Sequence, residues 1–189
     1  MKNIIKNTLI LTAITLVAGI LLGLVYEITK EPIALAKEAA KKKAYQQVMT
    51  DADVFDGLEL IEEAIKQVKD TEESSGCTIN EVVEAKANGE TVGYVVTTTT
   101  SEGYGGEIQI SVGILTDGPV NGVAILSIGE TAGLGMKATD EEFYGQYAGK
   151  NVEFFSVTKT GASADNEIDA ISGATITTNG YKTAVLKSF

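Results

Sequence analysis

The stretch Thr78-Ile79-Asn80-Glu81-Val82-Val83-Glu84-Ala85-Lys86, followed by Asn88-Gly89 and then Thr91-Val92-Gly93-Tyr94-Val95-Val96-Thr97-Thr98-Thr99-Thr100, is two β-branched runs joined across a dipeptide suited to a two-residue turn. It predicts a β-hairpin, with the four consecutive threonines as ordinary strand residues. Downstream, residues 106–115 alternate Ile108, Ile110, Val112 and Ile114 on one face, turn at Thr116-Asp117-Gly118-Pro119, and return as a strand over 120–128. Together these make an antiparallel sheet. A short helix over 140–147 behind a Thr139 cap, a further strand over 152–157 and a loop over 161–166 are expected next. The last segment is helical from Ile176 onward, with Gly180, Ala184, Val185 and Phe189 recurring at helical spacing. Upstream of the hairpin, Ile61, Ala64, Ile65 and Val68 form the apolar stripe of a helix over 57–69, and 70–76 reads as a loop. The fold class is α+β, with helices packed against an antiparallel sheet.

The N-terminal part is of another kind. Between Lys6 and Glu27 lie twenty uncharged residues, 7–26, which as a helix span about 30 Å, the thickness of a bilayer's hydrocarbon core. This predicts a single membrane-spanning helix. A cleaved signal peptide is the competing reading, since Lys2 and Lys6 make a basic start and Ala34-Leu35-Ala36 resembles a cleavage site. The apolar run is too long for a signal core, however, and that site lies well beyond its end. Residues 32–49, rich in Ala, Lys and Gln and with Pro32 placed for a first turn, read as a stalk helix continuing the span. The expected organisation is an anchor over 1–28, a stalk over 29–50 and a folded domain over 51–189. Lysines flank both ends of the span, so charge alone leaves its orientation open. The short N-terminal flank resembles an uncleaved signal anchor, with the N-terminus inside and the acidic body outside the cell membrane.

Composition excludes several chemistries. The chain has no His and no Trp, and Cys77 is its one cysteine. Serine–histidine and cysteine–histidine hydrolysis, a Cys/His zinc site, an iron–sulfur centre and an internal disulfide are therefore ruled out. Residues 1–50 carry seven Lys against three Glu, and the remaining 139 carry eight Lys against twenty-three acids, within a net charge of −11. So acidic a body argues against nucleic acid and against an anionic membrane surface as partners.

Three glycine-bearing segments remain. Glu102-Gly103-Tyr104-Gly105-Gly106-Glu107-Ile108 allows close backbone approach beside an aromatic face. Gly129-Glu130-Thr131-Ala132-Gly133-Leu134-Gly135-Met136-Lys137 combines an acid, a hydroxyl, an apolar side chain and a base. The third, Asp169-Ala170-Ile171-Ser172-Gly173-Ala174-Thr175-Ile176-Thr177-Thr178, surrounds Thr175 with little bulk at the start of the last helix. A helix N-terminus favours a phosphate. The plainer reading of Ser172 or Thr175 is an N-cap, and of the glycines a set of turns.

In this order the three segments closely resemble the FMN-binding domain of the G subunit of Rnf-type electron-transport complexes and of the related C subunit of the Na⁺-translocating NADH:quinone reductase. The resemblance covers most of the chain, including the N-terminal span. It implies that Thr175 carries FMN through a phosphoester, placed there by a flavin transferase that uses FAD and Mg²⁺ and recognises Asp169, Ser172, Gly173 and Ala174. Thr177, Tyr104, Gly105, Glu130, Thr131, Gly133, Leu134, Gly135 and Lys137 are the remaining candidate cofactor contacts, with Leu134 and Tyr104 against the flavin ring. No catalytic residue and no metal ligand is expected. The implied function is electron transfer within a membrane complex of several redox subunits that couples electron flow between ferredoxin and NAD⁺ to Na⁺ or H⁺ transport. The chain's modest length favours the Rnf subunit over the quinone-reductase one. Two rivals are a stand-alone extracytoplasmic flavin reductase and an anchored adhesion or sensor domain with structural glycine loops. The family loop usually has Pro where this chain has Ala132, and the sequence stops at Phe189, soon after the motif helix begins.

Overall fold

In a computed structural model, residues 2–57 and 76–188 are described. The helix expected over 57–69 and the loop after it therefore lie, Gly57 and Gly76 apart, outside the described residues. The chain divides into two compact units, Met1–Lys41 and Lys42–Phe189.

From Lys2 the first unit is helical, part of α1 (Lys2–Val48). It is the one helix among the described residues long and apolar enough to cross a membrane. None of its apolar stretch is buried against protein. The hydroxyls of Thr8, Thr12 and Thr29 donate to the carbonyls of Ile4, Thr8 and Val25, one turn back. Such bonds leave no polar group unsatisfied where water is absent. Pro32 does not open a new helix; it lies inside α1, where its missing N–H costs one backbone bond.

The second unit is built on an antiparallel sheet in sequence order, with β1 (Val54–Gly57), β2 (Cys77–Ala87), β3 (Glu90–Thr100), β4 (Ile108–Leu115) and β5 (Val120–Ile128). Asn88 and Gly89 both have positive φ, 53° and 85°, as the tight turn between β2 and β3 requires. Strand β1 ends at Gly57, where a helix was expected to begin. The four threonines alternate across the sheet. Thr98 donates to the Ala184 carbonyl on one side, while on the other Thr97 meets Ser111 at 3.0 Å and Thr99 donates to Asn80 Oδ1.

Each face of the sheet has its own core. On one, Ile108, Ile110, Val112 and Val123 pack with Tyr147, Phe155, Ile168, Tyr181 and Val185. On the other, Val83, Ala85, Val95 and Ala124 pack with Ala44, Tyr45, Val48 and Met49 from the end of α1. Glycines make that second contact possible. A Cβ at Gly113 would lie 2.5 Å from the Val48 carbonyl oxygen, and one at Gly122, its partner across the ladder, 3.3 Å from Val48 Cα. The last turn of α1 thus rests on bare sheet, and Asn121 Nδ2 donates to the Val48 carbonyl at 2.7 Å, satisfying one of the acceptors a helix leaves unpaired at its C-terminus.

After β5 come a 3₁₀ turn (Gly135–Thr139), α2 (Glu141–Tyr144) and a second 3₁₀ turn (Gly145–Tyr147). Thr139 does not cap α2; its hydroxyl donates back to Met136, and Asp140 holds the cap position without a side-chain bond. The strand expected over 152–157 is shorter and shifted, β6 (Ser156–Thr158), and it pairs in parallel with β7 (Glu167–Asp169) in a separate two-stranded sheet. Helix α3 (Thr175–Leu186) closes the unit.

Candidate functional site

Backbone contacts that only glycine permits bring the three glycine segments together. A Cβ on Gly103 would lie 2.2 Å from the Gly106 carbonyl oxygen and one on Gly105 2.4 Å from that of Gly129, so the first loop lies directly on the second. Glu130 locks them. It is 8% exposed, and its carboxylate accepts the backbone N–H of Tyr104 at 2.7 Å and of Gly105 at 3.1 Å. Within the second loop, Gly133 turns the chain at φ 76°, and the Thr131 carbonyl accepts from both Leu134 and Met136.

The third segment joins through α3. Gly180 faces the backbone of Glu102, at 3.0 Å from a hypothetical Cβ, and Gly173 faces Leu134 Cδ2 at 3.1 Å. Ile171 and Ala174 are buried in the core, and Ser172 and Gly173 bulge outward between them in a tight turn closed by Ala174 N–H to Ile171 carbonyl, with Gly173 at φ 78°.

Neither Ser172 nor Thr175 caps α3. Ala174 holds the cap position with no side-chain bond. Thr178 does the local bonding instead: its hydroxyl accepts the Ile171 N–H and donates to the Ala174 carbonyl. The backbone N–H groups of Thr175, Ile176 and Thr177 consequently have no acceptor among the described residues, as expected of a first helical turn. Ile176 is not on the core face; it is 55% exposed.

The result is a cleft of about 620 Å³ lined by residues 170–177, Glu130, Thr131, Leu134 and Gly135, with Tyr104 and Lys159. That volume suits a cofactor-sized ligand. Tyr104 is 73% and Leu134 45% exposed, so both present apolar surface to whatever enters. Gly135 is a cradle: a Cβ there would be 2.6 Å from Glu130 Oε2 and 2.8 Å from Thr177 Oγ1. The Thr177 hydroxyl is buried with no hydrogen-bond partner, an arrangement that needs an explanation. The Thr175 hydroxyl is half-buried at the first helical position.

Of the residues expected from sequence, Thr175, Ser172, Gly173, Ala174, Thr177, Tyr104, Glu130, Thr131, Leu134 and Gly135 all line this cleft. Gly105 stands behind it as a donor to Glu130, and Gly133 serves the turn. Asp169 and Lys137 do not line it; they share a smaller neighbouring hollow of about 210 Å³ with Asp140, Glu142 and Gln146. Gln146 grips the backbone of Asp169 on both sides, accepting its N–H at 2.7 Å and donating to its carbonyl. Lys159, Ala170, Ile171 and Ile176 are lining residues that sequence reasoning did not single out. Lys159 reaches the cleft only through the β6–β7 pairing, which no local pattern announces.

Beneath the site, Tyr147 and Tyr181 are fully buried, with ring centroids 5.6 Å apart. Burial pushes both phenols well above their ordinary pKa.

Residues 103–188 match the FMN-binding domain family and residues 1–48 match the RnfG N-terminal region. The chain is 35% identical to the G subunit of the Na⁺-translocating ferredoxin:NAD⁺ oxidoreductase complex of Acetobacterium woodii, over 97% of this chain and 89% of that protein. It is 33% identical to the G subunit of the proton-translocating ferredoxin:NAD⁺ oxidoreductase complex of Clostridium ljungdahlii, over 97% and 91%. Among solved structures it is similar to NqrC of Shewanella oneidensis, with a TM-score of 0.49 and 25% identity over 56% of this chain and 52% of that one.

Proposed function

Since the chain belongs to the G-subunit family of ion-translocating oxidoreductase complexes, we propose that it is the membrane-anchored electron-transfer subunit of an Rnf-type complex, carrying FMN as a phosphoester on Thr175. In this reading residues 1–28 are the anchor, 29–50 the stalk and 51–189 an extracytoplasmic domain. Electrons pass between ferredoxin and NAD⁺ through the complex and its other membrane and redox subunits, coupled to Na⁺ or H⁺ transport. The subunit needs no turnover of its own. The names of the relatives favour this over a quinone-reductase subunit and over a stand-alone reductase.

The observation that carries the reading is Thr175 itself: a hydroxyl with no partner among the described residues, at the first turn of α3, opening on a cleft of about 620 Å³. The residues present fit the cofactor. Three unpaired N–H groups and the positive end of α3 suit a bound phosphate. Leu134 and Tyr104 offer surface for a planar ring, and Thr177, whose buried hydroxyl is orphaned, lines the same cleft. The flavin, once bound, supplies reversible one- and two-electron chemistry. The chain's part is to hold it, shield one side and set the polarity around it.

Loading requires a flavin transferase. The Thr175 Oγ–phosphorus bond forms as the pyrophosphate of FAD breaks, AMP leaves, and the hydroxyl proton passes to a base of the transferase. Thr177 and Thr178 are poor acceptors by comparison, since both hydroxyls are buried.

Co-expression with a flavin transferase, denaturation and in-gel fluorescence test this. A fluorescent band is expected from the wild type and from Thr177→Ala, and none from Thr175→Ala. A fluorescent Thr175→Ala band would sink the assignment.

A further inference from the structure

Among the described residues, no carboxylate pairs with the Lys159 ammonium. Lys159 lines the cleft beside residues 170–177 and has no hydrogen-bond or ion-pair partner among the described residues. Other lysines differ. Lys150 donates to the carbonyls of Asp165 and Glu167, Lys86 pairs with Asp56 and Glu84, and Lys137 lies in the hollow that holds Asp140, Glu142 and Asp169. Glu130, the one carboxylate lining the cleft, is occupied by the Tyr104 and Gly105 N–H groups. In a domain with twenty-three acids against eight lysines beyond residue 50, an unmatched cation facing a cleft is a local inversion of charge.

The strand pairing is what puts it there. Strand β6 pairs in parallel with β7, Thr158 opposite Asp169, and the Ala170 N–H donates to the Thr158 carbonyl at 2.8 Å. Residue 159, though exposed, is thereby carried to the rim of the cleft beside the start of the Ala170–Thr177 wall. On the same wall are the three N–H groups without acceptors and the buried Thr177 hydroxyl without a partner. All of these are donors awaiting an acceptor, and the only formal charge among them is Lys159.

We infer that Lys159 is the counter-ion of the cofactor's phosphate, closing an anion site whose other wall is the first turn of α3. The inference rests on the reading of the cleft as a flavin site and goes beyond it by assigning the phosphate, not the ring, to Lys159. A lysine ammonium is a compact point charge suited to phosphate.

The test uses the full chain in detergent, produced without a flavin transferase, titrated with FMN and with riboflavin, which lacks the phosphate. FMN is expected to bind more tightly than riboflavin, with an advantage that shrinks as salt rises. Lys159→Gln should reduce the FMN advantage about tenfold, the scale of one partly exposed charge-assisted bond, and leave riboflavin binding unchanged. Lys159→Arg should restore most of it. In loaded protein the midpoint potential of Lys159→Gln should match that of the wild type, because the inference assigns this charge to the phosphate and not to the ring. An unchanged FMN-to-riboflavin ratio, or a lost affinity for both flavins, or a shifted potential, would overturn the inference. These outcomes are separate from the Thr175 test, since free-flavin binding does not depend on the covalent bond. A cleft that takes neither flavin would overturn the Lys159 inference and leave the Thr175 reading to its own in-gel test.

Discussion

Replacing Glu130 with Gln removes the clamp between the two glycine loops while preserving shape. The wild-type carboxylate accepts two backbone N–H groups, at 2.7 Å from Tyr104 and 3.1 Å from Gly105. Hydrogen bonds to a charged group contribute about 1.5–3 kcal/mol each. A glutamine amide oxygen can still accept one N–H, now as a neutral bond worth about 1 kcal/mol, but its NH₂ group then faces the other N–H, donor against donor. Allowing for partial hydration of the released amide, the loss is about 2 kcal/mol. For a domain of this size that lowers Tm by about 4–8 °C. Calorimetry on the full chain in one detergent measures it, and amide exchange locates it: Tyr104 and Gly105 should lose protection while β4 and β5 keep theirs. A Glu130→Gln protein that melts within about 1 °C of the wild type, with both amides still protected, would refute the view that this carboxylate joins the loops.

Two further outcomes follow from the packing. Gly113→Ala puts a methyl 2.5 Å from the Val48 carbonyl oxygen, a backbone atom that cannot swing aside, and should cost about 1–3 kcal/mol in denaturant unfolding, whereas Gly89→Ala, which meets nothing within 4 Å but sits at φ 85°, should cost through turn strain alone. Burial, reinforced by Glu102, raises the Cys77 thiol to about 11, so the native state holds this proton more tightly than the unfolded chain. Its contribution to stability is full below about pH 9 and is lost as pH rises from 9 towards 11; Cys77→Ala should flatten that part of the stability–pH curve, and native Cys77 should resist alkylation at neutral pH.

Much of the fold was legible residue by residue. Strands β2 to β5 lie within two residues of their expected positions, because alternation and an Asn-Gly turn are local properties of the chain. The apolar span was equally plain, since twenty uncharged residues answer to a length and not to a tertiary partner. Where the reading failed, a distant contact outweighed a local preference. Of the positions recurring at helical spacing, Gly180, Ala184 and Val185 are buried, but Ile176 in the first turn is exposed, and Thr177, Thr178 and Tyr181 complete the inward face, held by the Thr178 bonds and by Gly180 against Glu102. Strand β6 was misplaced because a three-residue parallel pairing has almost no signature of its own.

The sequence alone determined that three glycine segments exist, that the last one opens a helix beside a small-residue turn, and that neither a Cys/His zinc site nor histidine chemistry is available. Glycine's freedom and the missing residue types are properties readable from composition and order. Only the tertiary structure decided which atoms meet. Glu130 became a clamp and not a free acid, Asp169 fell into a neighbouring hollow, Thr177 was buried without a partner among the described residues, and Lys159 came to line the same cleft as the first turn of α3. Each of these depends on backbone approaching backbone between segments tens of residues apart, and such approach is set by the packing of the whole sheet, which no short stretch encodes.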